Sequence, residues 1–283
     1  MLSSLMDAVE QTRHLLGYDF VASSLVAAAL LGGVSGVMAP LVVLRHMSFG
    51  VHATSELALM GAAAALFFGF NLSMGAIAGS IAAALLLVFL GRRGGDDAAI
   101  GVVMSFGMGL SVLFLYLYPG NSTKAMALLT GQIVGVSDAG VRTLAAVAAL
   151  VVVSVAVLWR PLLFASADPE MAAASGVPVK TMAVVFALLL GLTASQTVQI
   201  VGVLLVMALL IAPGASAVSI SANPIAVVFW SVLFAELAAV GGVLLSLAPG
   251  LPISVVVSFI SFAIFVICRG IGGLRARRIS PAV

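Results

Sequence analysis

The sequence RPLLFASADPEMAAASGVPVK (residues 160–180) is the longest interruption between two apolar runs of membrane length, and the chain is organised around it. Asp168 is a favourable N-cap, because its carboxylate can accept hydrogen bonds from first-turn N–H groups. Pro169 suits the first helical position, and Glu170 places negative charge at the positive end of the helix dipole. Gly176 suits a left-handed cap after the helix. The pattern predicts a two-turn helix that is not stable alone in water. We interpret it as a cytoplasmic projection that docks into a separate protein.

The composition is that of a membrane protein. Of 283 residues, 63% are hydrophobic and 8% are charged, and the mean hydropathy is +1.30. Soluble domains carry about a quarter charged residues, so we expect the chain to lie in a lipid bilayer. A net charge of +2 is too small to indicate nucleic acid as a partner. The single cysteine, Cys268, excludes an intrachain disulfide and a thiolate-rich metal site. Asp7 and Glu10, with no basic start, exclude a cleavable signal peptide.

Nine apolar segments predict an all-α bundle of about nine transmembrane helices, forming one domain over residues 1–283. Each segment approaches the length that a hydrocarbon core of about 30 Å requires. Residues 1–18 are amphipathic and predict an interfacial helix. The sixth and seventh segments abut at Ala194–Thr197, where we expect a tight hairpin or broken helices. The segments lie near residues 20–44, 51–70, 73–91, 98–118, 141–159, 181–195, 197–213, 224–247 and 252–268.

Basic residues predict the orientation. If each segment crosses once, most of the lysines and arginines fall on one side, and the positive-inside rule makes that side cytoplasmic. The N-terminus is then outside, the C-terminus is inside, and residues 160–180 are cytoplasmic. The basic residues on the cytoplasmic side are Arg45, Arg92, Arg93, Arg160, Lys180, Arg269, Arg275, Arg277 and Arg278, and those outside are Arg13, Lys124 and Arg142.

Two patterns predict how segments pack. The pairs Gly32/Gly36 and Gly75/Gly79 have the small-xxx-small spacing that lets helix backbones touch, and we interpret both as packing within the chain. The outer segment 119–138 is too polar at its start to span the membrane, and its later part is too apolar to be a free loop. We expect it to be re-entrant, with protein covering its backbone.

Nucleotide and hydrolase motifs are absent from the sequence. No G-x-x-x-x-G-K-[ST] loop precedes Lys124 or Lys180, the only two lysines, so the chain has no phosphate-binding loop for ATP. No H-E-x-x-H or G-x-S-x-G motif occurs. We therefore expect no enzyme activity and no bound cofactor. If ATP drives this protein, the ATPase is a separate polypeptide.

Ionisable residues inside the predicted spans are the candidate site, because charge at bilayer depth is costly. Glu236 lies near the middle of the eighth span and Glu56 in the second, where His52 precedes it by one helical turn and Ser55 lies near the same stripe. Imidazole and carboxylate suit ions such as Zn(II) and Mn(II). Two alternatives stay open: His52 is an interfacial side chain, and each carboxyl is protonated and bonded to a neighbouring helix. Three ligands or fewer make a weak site, as permeation requires.

The chain resembles the permease subunits of metal-importing ABC transporters, the zinc/manganese/iron uptake family. VLLVMALLIAPGASA (203–217), after Gly202, is similar to the family's G-V-L-L-V-x-A-L-L-I-x-P-A-x-x-A, and residues 160–179 are similar to its coupling loop, D-P-E-x-A-x-x-x-G. MSFGVHATSELALMG (47–61) resembles M-S-L-x-G-D-A-L-S-H-A-x-L-P-G, with His52 in place of Asp, Glu56 in place of His and Met60 in place of Pro. The imidazole–carboxylate pair is kept in swapped order.

This resemblance implies a fold like that of the vitamin B12 type of importer, working by alternating access in the bacterial plasma membrane. The implied partners are a second copy of the chain, two ATP-binding cassette subunits on the cytoplasmic side and an extracytoplasmic solute-binding protein on the other side. His52 and Glu56 would line the route of a transported zinc or manganese ion, with Ser55 and Glu236 as further candidates. The ATPase would contact Asp168, Pro169, Glu170, Met171 and Gly176.

Three other functions compete with metal import. A siderophore or cobalamin permease needs a wide apolar cavity, against which Glu56 and Glu236 argue. A proton-coupled secondary carrier would use the same carboxyls as proton sites and should show an inverted repeat, which we do not find. A structural membrane scaffold gives no reason for two carboxyls within membrane spans.

Overall fold

The computed structural model describes residues 18–91, 97–120, 128, 136–247 and 251–279. Within these ranges all regular secondary structure is helical, without a strand, which confirms the prediction of an all-α protein. The predicted interfacial helix lies outside the described residues apart from Tyr18, as does most of the segment 119–138.

The described helices follow the apolar segments. In chain order they are α1 (Asp19–Leu44), α2 (Ser48–Phe68), α3 (Leu72–Gly91), α4 (Asp97–Leu117), α5 (Asp138–Val157), α6 (Trp159–Ala167), α7 (Pro169–Ala174), α8 (Val179–Val201), a 3-10 turn (Val203–Leu205), α9 (Val206–Leu210), α10 (Ala212–Ile220), α11 (Pro224–Leu247) and α12 (Ile253–Ile279).

Eight of these helices, in the part of the chain that the structure describes, are long and apolar enough to cross a membrane. They are α1 to α5, α8, α11 and α12, and they match eight of the nine predicted segments. Of the remaining segment, predicted over residues 197–213, the first five residues belong to α8, and the rest is built from the 3-10 turn, the short helix α9 and the start of α10. The chain is therefore a multi-pass membrane protein in which one apolar segment is broken.

Of the two alternatives predicted at Ala194–Thr197, the tight hairpin is wrong, and the break between helices lies further along the chain. Helix α8 continues through these residues, and the hydroxyl of Thr197 donates to the Thr193 carbonyl at 2.8 Å. Back-bonding of this kind satisfies a polar side chain inside an apolar helix, so the polar run does not break α8. The helix ends instead at Gly202, whose φ of 80° is favourable only for glycine.

Proline accounts for two other breaks. Pro161 has no N–H to donate to the Val157 carbonyl, and α5 gives way to α6 at Leu158. The stretch that begins at Arg160 is thus helical to Ala167, immediately before Asp168 and α7. Pro213 acts similarly at the start of α10.

The residues form two compact units. The first contains residues 18–43, 136–141, 208–247 and 251–279 of the described chain. In this unit, Gly36 packs directly against the backbone of Val232. A Cβ atom added to Gly36 would come within 2.5 Å of the Val232 Cα atom. Gly214 similarly lies against Ala39 of α1, where a Cβ would be 2.5 Å from the Ala39 carbonyl carbon. Glycine thus brings α11 and α10 into backbone contact with α1.

The second unit contains residues 44–91, 97–120, 128 and 142–207 of the described chain. Here Gly75 of α3 faces the Gly61 carbonyl of α2, and Gly79 faces the Leu57 carbonyl, so neither position has room for a Cβ. Helix α8 packs on both α2 and α3. Both predicted glycine pairs therefore serve packing within the chain, as expected.

Candidate functional site

Helix α2 holds His52 and Glu56 one turn apart on one face, as the spacing predicts. The Nε2 atom of His52 lies 3.9 Å from Oε1 of Glu56. This distance exceeds that of a hydrogen bond, so no direct hydrogen bond joins the two groups. The side chain of Glu56 is 8% exposed and that of His52 is 31% exposed. The carboxyl is therefore enclosed by protein while the imidazole remains partly accessible.

The pair can act as two ligands of one ion. Each ligand bound at about 2.1 Å to one ion would lie no more than about 4.2 Å from the other, and the observed 3.9 Å is within that limit. The Nδ1 atom of His52 is buried with no hydrogen-bond partner among the described residues, so no second contact fixes the imidazole. No three His, Cys, Asp or Glu side chains in the described ranges are grouped to hold a metal ion. The pair alone would leave coordination positions open.

Ser55 is fully buried next to the pair, yet its hydroxyl is already used. It donates to the His52 carbonyl at 2.7 Å. Thr54 donates in the same way to the Gly50 carbonyl, also at 2.7 Å. These hydroxyls are satisfied by their own helix, so the chemistry of this part of α2 lies in His52 and Glu56.

Glu236 lies halfway along α11, as predicted, and belongs to the other compact unit. Its carboxyl lies against the backbone of α1: a Cβ on Gly32 would be 3.1 Å from the carboxyl carbon, and one on Gly33 would be 3.4 Å from Oε1. No ion pair to Glu236 occurs within the described ranges. The two glycines thus create the space that this half-buried carboxyl occupies.

The capped helix, defined here as α7 with its caps Asp168 and Gly176, is formed as predicted. The Met171 N–H donates to Oδ1 of Asp168 at 2.9 Å, and Pro169 occupies the first turn. Gly176 has φ of 84°. Its N–H donates to the Ala173 carbonyl at 3.1 Å, and the next N–H, of Val177, donates to the Ala172 carbonyl at 3.0 Å. This is the Schellman arrangement that ends a helix sharply.

One residue anchors the capped helix and the others are presented outward. Ala172 is completely buried, whereas Asp168, Pro169, Glu170 and Met171 are exposed, the last by 58%. A large apolar side chain held outward on a rigid two-turn helix is suited to insertion into an apolar pocket of another protein.

Sequence reasoning missed the role of Arg45, which it counted only as an orientation signal. Its Nε donates to the Ser166 hydroxyl at 2.8 Å, and its guanidinium carbon lies 4.5 Å from the centre of the Phe186 ring. Desolvation by burial lowers the pKa of Arg45 to about 10, so it remains charged at neutral pH. Because Ser166 is 121 residues away, no local signal could have predicted this contact.

A second omission is the buried polar run TASQT of α8. Thr193, Ser195, Gln196 and Thr197 are all buried, and the three hydroxyls donate to carbonyls of their own helix. The Nε2 atom of Gln196 has no partner among the described residues. Five polar or small residues in an otherwise apolar segment were the available signal.

The model of the ABC 3 transport family matches residues 17–270. The chain is 32% identical over 257 residues to the manganese transport system membrane protein MntC of Listeria innocua, covering 89% of this chain and 91% of that protein. It is 31% identical to the manganese import system permease protein ScaB of Streptococcus parasanguinis, covering 77% and 76%. The solved structure of PsaBC from Streptococcus pneumoniae in complex with Fab superposes with a TM-score of 0.84 at 25% identity, covering 92% and 94%.

Proposed function

Because the chain belongs to the ABC 3 transport family, we propose that it is the membrane-spanning subunit of an ABC importer of divalent metal ions, with manganese or zinc as substrate. The chain is a multi-pass protein of the bacterial plasma membrane. Manganese is favoured because MntC and ScaB are both named for manganese transport.

The observation that carries the substrate class is the His52–Glu56 pair. An imidazole and an enclosed carboxylate 3.9 Å apart on one membrane-spanning helix form a two-ligand site for an ion. A site with few protein ligands binds weakly enough for the ion to leave, as conduction requires. Glu236, a carboxyl inside another span, is a further group that an ion could meet on its route.

The source of energy is a separate ATPase that contacts the capped helix. The sequence has no phosphate-binding loop, and Met171 and Glu170 extend outward on a helix capped at both ends. Such a helix transmits a displacement without unravelling, because its terminal N–H and carbonyl groups are already bonded. Two such ATPases would contact two copies of the chain, and an extracytoplasmic solute-binding protein would deliver the ion.

This arrangement has a defined topology. The capped helix must face the cytoplasm for the ATPases to reach it, which places the N-terminus outside and the C-terminus inside if the broken segment 203–220 crosses the membrane. A single cysteine introduced at Met171 in a variant lacking Cys268 should react with a membrane-impermeant maleimide only after cells are opened.

The test of the function is reconstitution. The chain, its partner ATPase and the cognate binding protein are placed in liposomes, and uptake of radioactive Mn²⁺ and Zn²⁺ is measured with ATP inside or outside. We expect metal uptake that requires ATP on the side of the capped helix. Uptake of neither ion by a complex that hydrolyses ATP would contradict the proposed substrate class.

A further inference from the structure

The connection between α1 and α2 is short and tightly turned. Only three residues, Arg45 to Met47, separate the two helices. His46 has φ of 53°, a left-handed backbone conformation that residues other than glycine adopt only at a cost in free energy. Because this connection is short and conformationally restricted, it transmits a displacement of Arg45 to the first turn of α2. His52 lies one turn beyond Ser48, where α2 begins, about 6 Å along the helix axis.

Arg45 contacts the chain on both sides of the capped helix. Ser166, which accepts from its Nε, lies in α6, two residues before the cap Asp168. Phe186, which its guanidinium faces at 4.5 Å, lies in α8, ten residues after Gly176. Phe186 is completely buried, and the Ser166 hydroxyl also donates to the Leu162 carbonyl. The Ser166 hydroxyl is therefore held by its own helix, and the Phe186 ring is enclosed by the surrounding protein.

One end of the Arg45 guanidinium is enclosed without a partner in the described part of the chain, although the residue as a whole is half-buried. Its Nη2 atom is buried without a hydrogen-bond partner among the described residues. Long basic side chains near a membrane surface ordinarily extend their charge into water. A half-buried, charged arginine with an enclosed donor that lacks a partner is costly unless another arrangement of the protein uses that donor. Such a group is suited to a contact between helices that exchanges its hydrogen-bond partners as the helices move.

We propose that Arg45 is the positioning residue that couples movement of the capped helix to the His52–Glu56 pair, through its contacts with Ser166 and Phe186. The proposal rests on the proposed function, because it assigns a route for the movement that the ATPase imposes. Displacement of α6 and the start of α8 would pull the guanidinium, and with it the first turns of α2. The position of His52 relative to Glu56 and to the opening of the site would change as a result.

The experiment compares uptake per ATP hydrolysed in the reconstituted complex of chain, ATPase and binding protein. Arg45→Met keeps the aliphatic stem near Phe186 and removes the Nε donor and the charge. We expect it to lower Mn²⁺ uptake per ATP by about tenfold, within the range of about 5- to 150-fold typical of coupling between sites. Hydrolysis itself should continue. Arg269→Met, which removes an exposed arginine from α12, is the control and should leave the ratio unchanged.

A second variant tests the same contact with a smaller change. Ser166→Ala removes the hydroxyl that accepts from Nε, and we expect a lower uptake per ATP in the same direction. Ser111→Ala is the matched control, since Ser111 is also buried and, among the described residues, bonds to the Gly107 carbonyl of its own helix. Combined with Arg45→Met, Ser166→Ala should add little, because both variants remove one interaction.

The outcomes separate this proposal from the proposed function. If the unaltered complex does not import a divalent metal with ATP, the proposed function fails. If it does, and both Arg45→Met and Ser166→Ala keep the unaltered uptake per ATP, the role of Arg45 is disproved. If Arg45→Met does not assemble, Ser166→Ala decides alone: a lowered ratio supports the role of Arg45, and an unchanged ratio overturns it.

Discussion

The Nε2 atom of His52 lies 3.9 Å from Oε1 of Glu56, and the carboxyl is the more deeply buried of the two groups. An ion entering from the accessible side would meet the imidazole first and the carboxylate next. Enclosure strengthens the attraction between a carboxylate and a cation, because little water separates them. We therefore expect Glu56 to contribute more to ion binding than His52.

Glu56→Gln should reduce Mn²⁺ uptake by at least about tenfold, since even supporting contacts around metal sites change affinity by 10- to 100-fold when lost. Glutamine keeps the volume and the polarity of the side chain but removes the negative charge. Uptake and the amount of folded protein are measured together in membrane vesicles. Equal losses in both would show that Glu56 is needed only for the structure.

Exchanging the two ligands tests whether the order matters. The double variant with His52→Asp and Glu56→His has the carboxylate and the imidazole in the order of the family's motif. It should retain more Mn²⁺ uptake than Glu56→His alone, because the single variant has two imidazoles and no carboxylate. Uptake competition with Zn²⁺ measures any change of preference. A double variant no better than the single one would show that the pair does not act together.

Gly176→Val should uncouple ATP hydrolysis from uptake. Gly176 has φ of 84° and no atom near its missing side chain, so the substitution strains the backbone by about 1–2 kcal/mol without a steric clash. The matched control is Gly69→Val, with φ of 75° and equally open surroundings at the end of α2. Only the first variant should lower uptake per ATP. A similar fall in both would mean that general destabilisation, and not the capped helix, is responsible.

Asp168→Ala should act in the same direction as Gly176→Val and more weakly. It removes the acceptor of the Met171 N–H, a cap worth about 0.5–2 kcal/mol. Asp168→Asn keeps an oxygen acceptor and should retain most of the coupling. The ratio of uptake to hydrolysis is the measurement, and loss of coupling in the asparagine variant alone would contradict a capping role.

Gly36→Ala should destabilise the protein by about 1–3 kcal/mol, the usual cost of overpacking. The added methyl would come within 2.5 Å of the Val232 Cα atom, which is backbone and cannot rotate away. Gly101→Ala in α4 is the control, because nothing lies within 4 Å of its added methyl. Thermal unfolding in detergent should show a lower midpoint for the first variant only. Equal midpoints would contradict the close approach of α1 and α11.

The sequence predicts best where local chemistry determines structure. Asp168, Pro169 and Gly176 specify the capped helix through backbone bonds within one turn of themselves, and the structure has it as expected. The spacing of His52 and Glu56 likewise requires a shared helix face. The membrane spans can also be predicted from the sequence, because the thickness of the hydrocarbon core sets the length and apolarity that a spanning helix needs.

Prediction fails where a polar group is satisfied by its own helix or by residues far along the chain. The polar run at Ala194–Thr197 suggests a break, but its hydroxyls bond to their own helix and the run is buried. The contact of Arg45 with Ser166 joins residues far apart in the sequence.

The central claim is that this chain is a passive route driven by a separate ATPase. Its most direct test is radioactive Mn²⁺ uptake into liposomes that contain the chain with its binding protein, with and without the ATPase. We predict ATP-dependent accumulation when the ATPase is present and none in its absence, even under an imposed proton gradient. Accumulation driven by the proton gradient without the ATPase would contradict the claim and identify a secondary carrier.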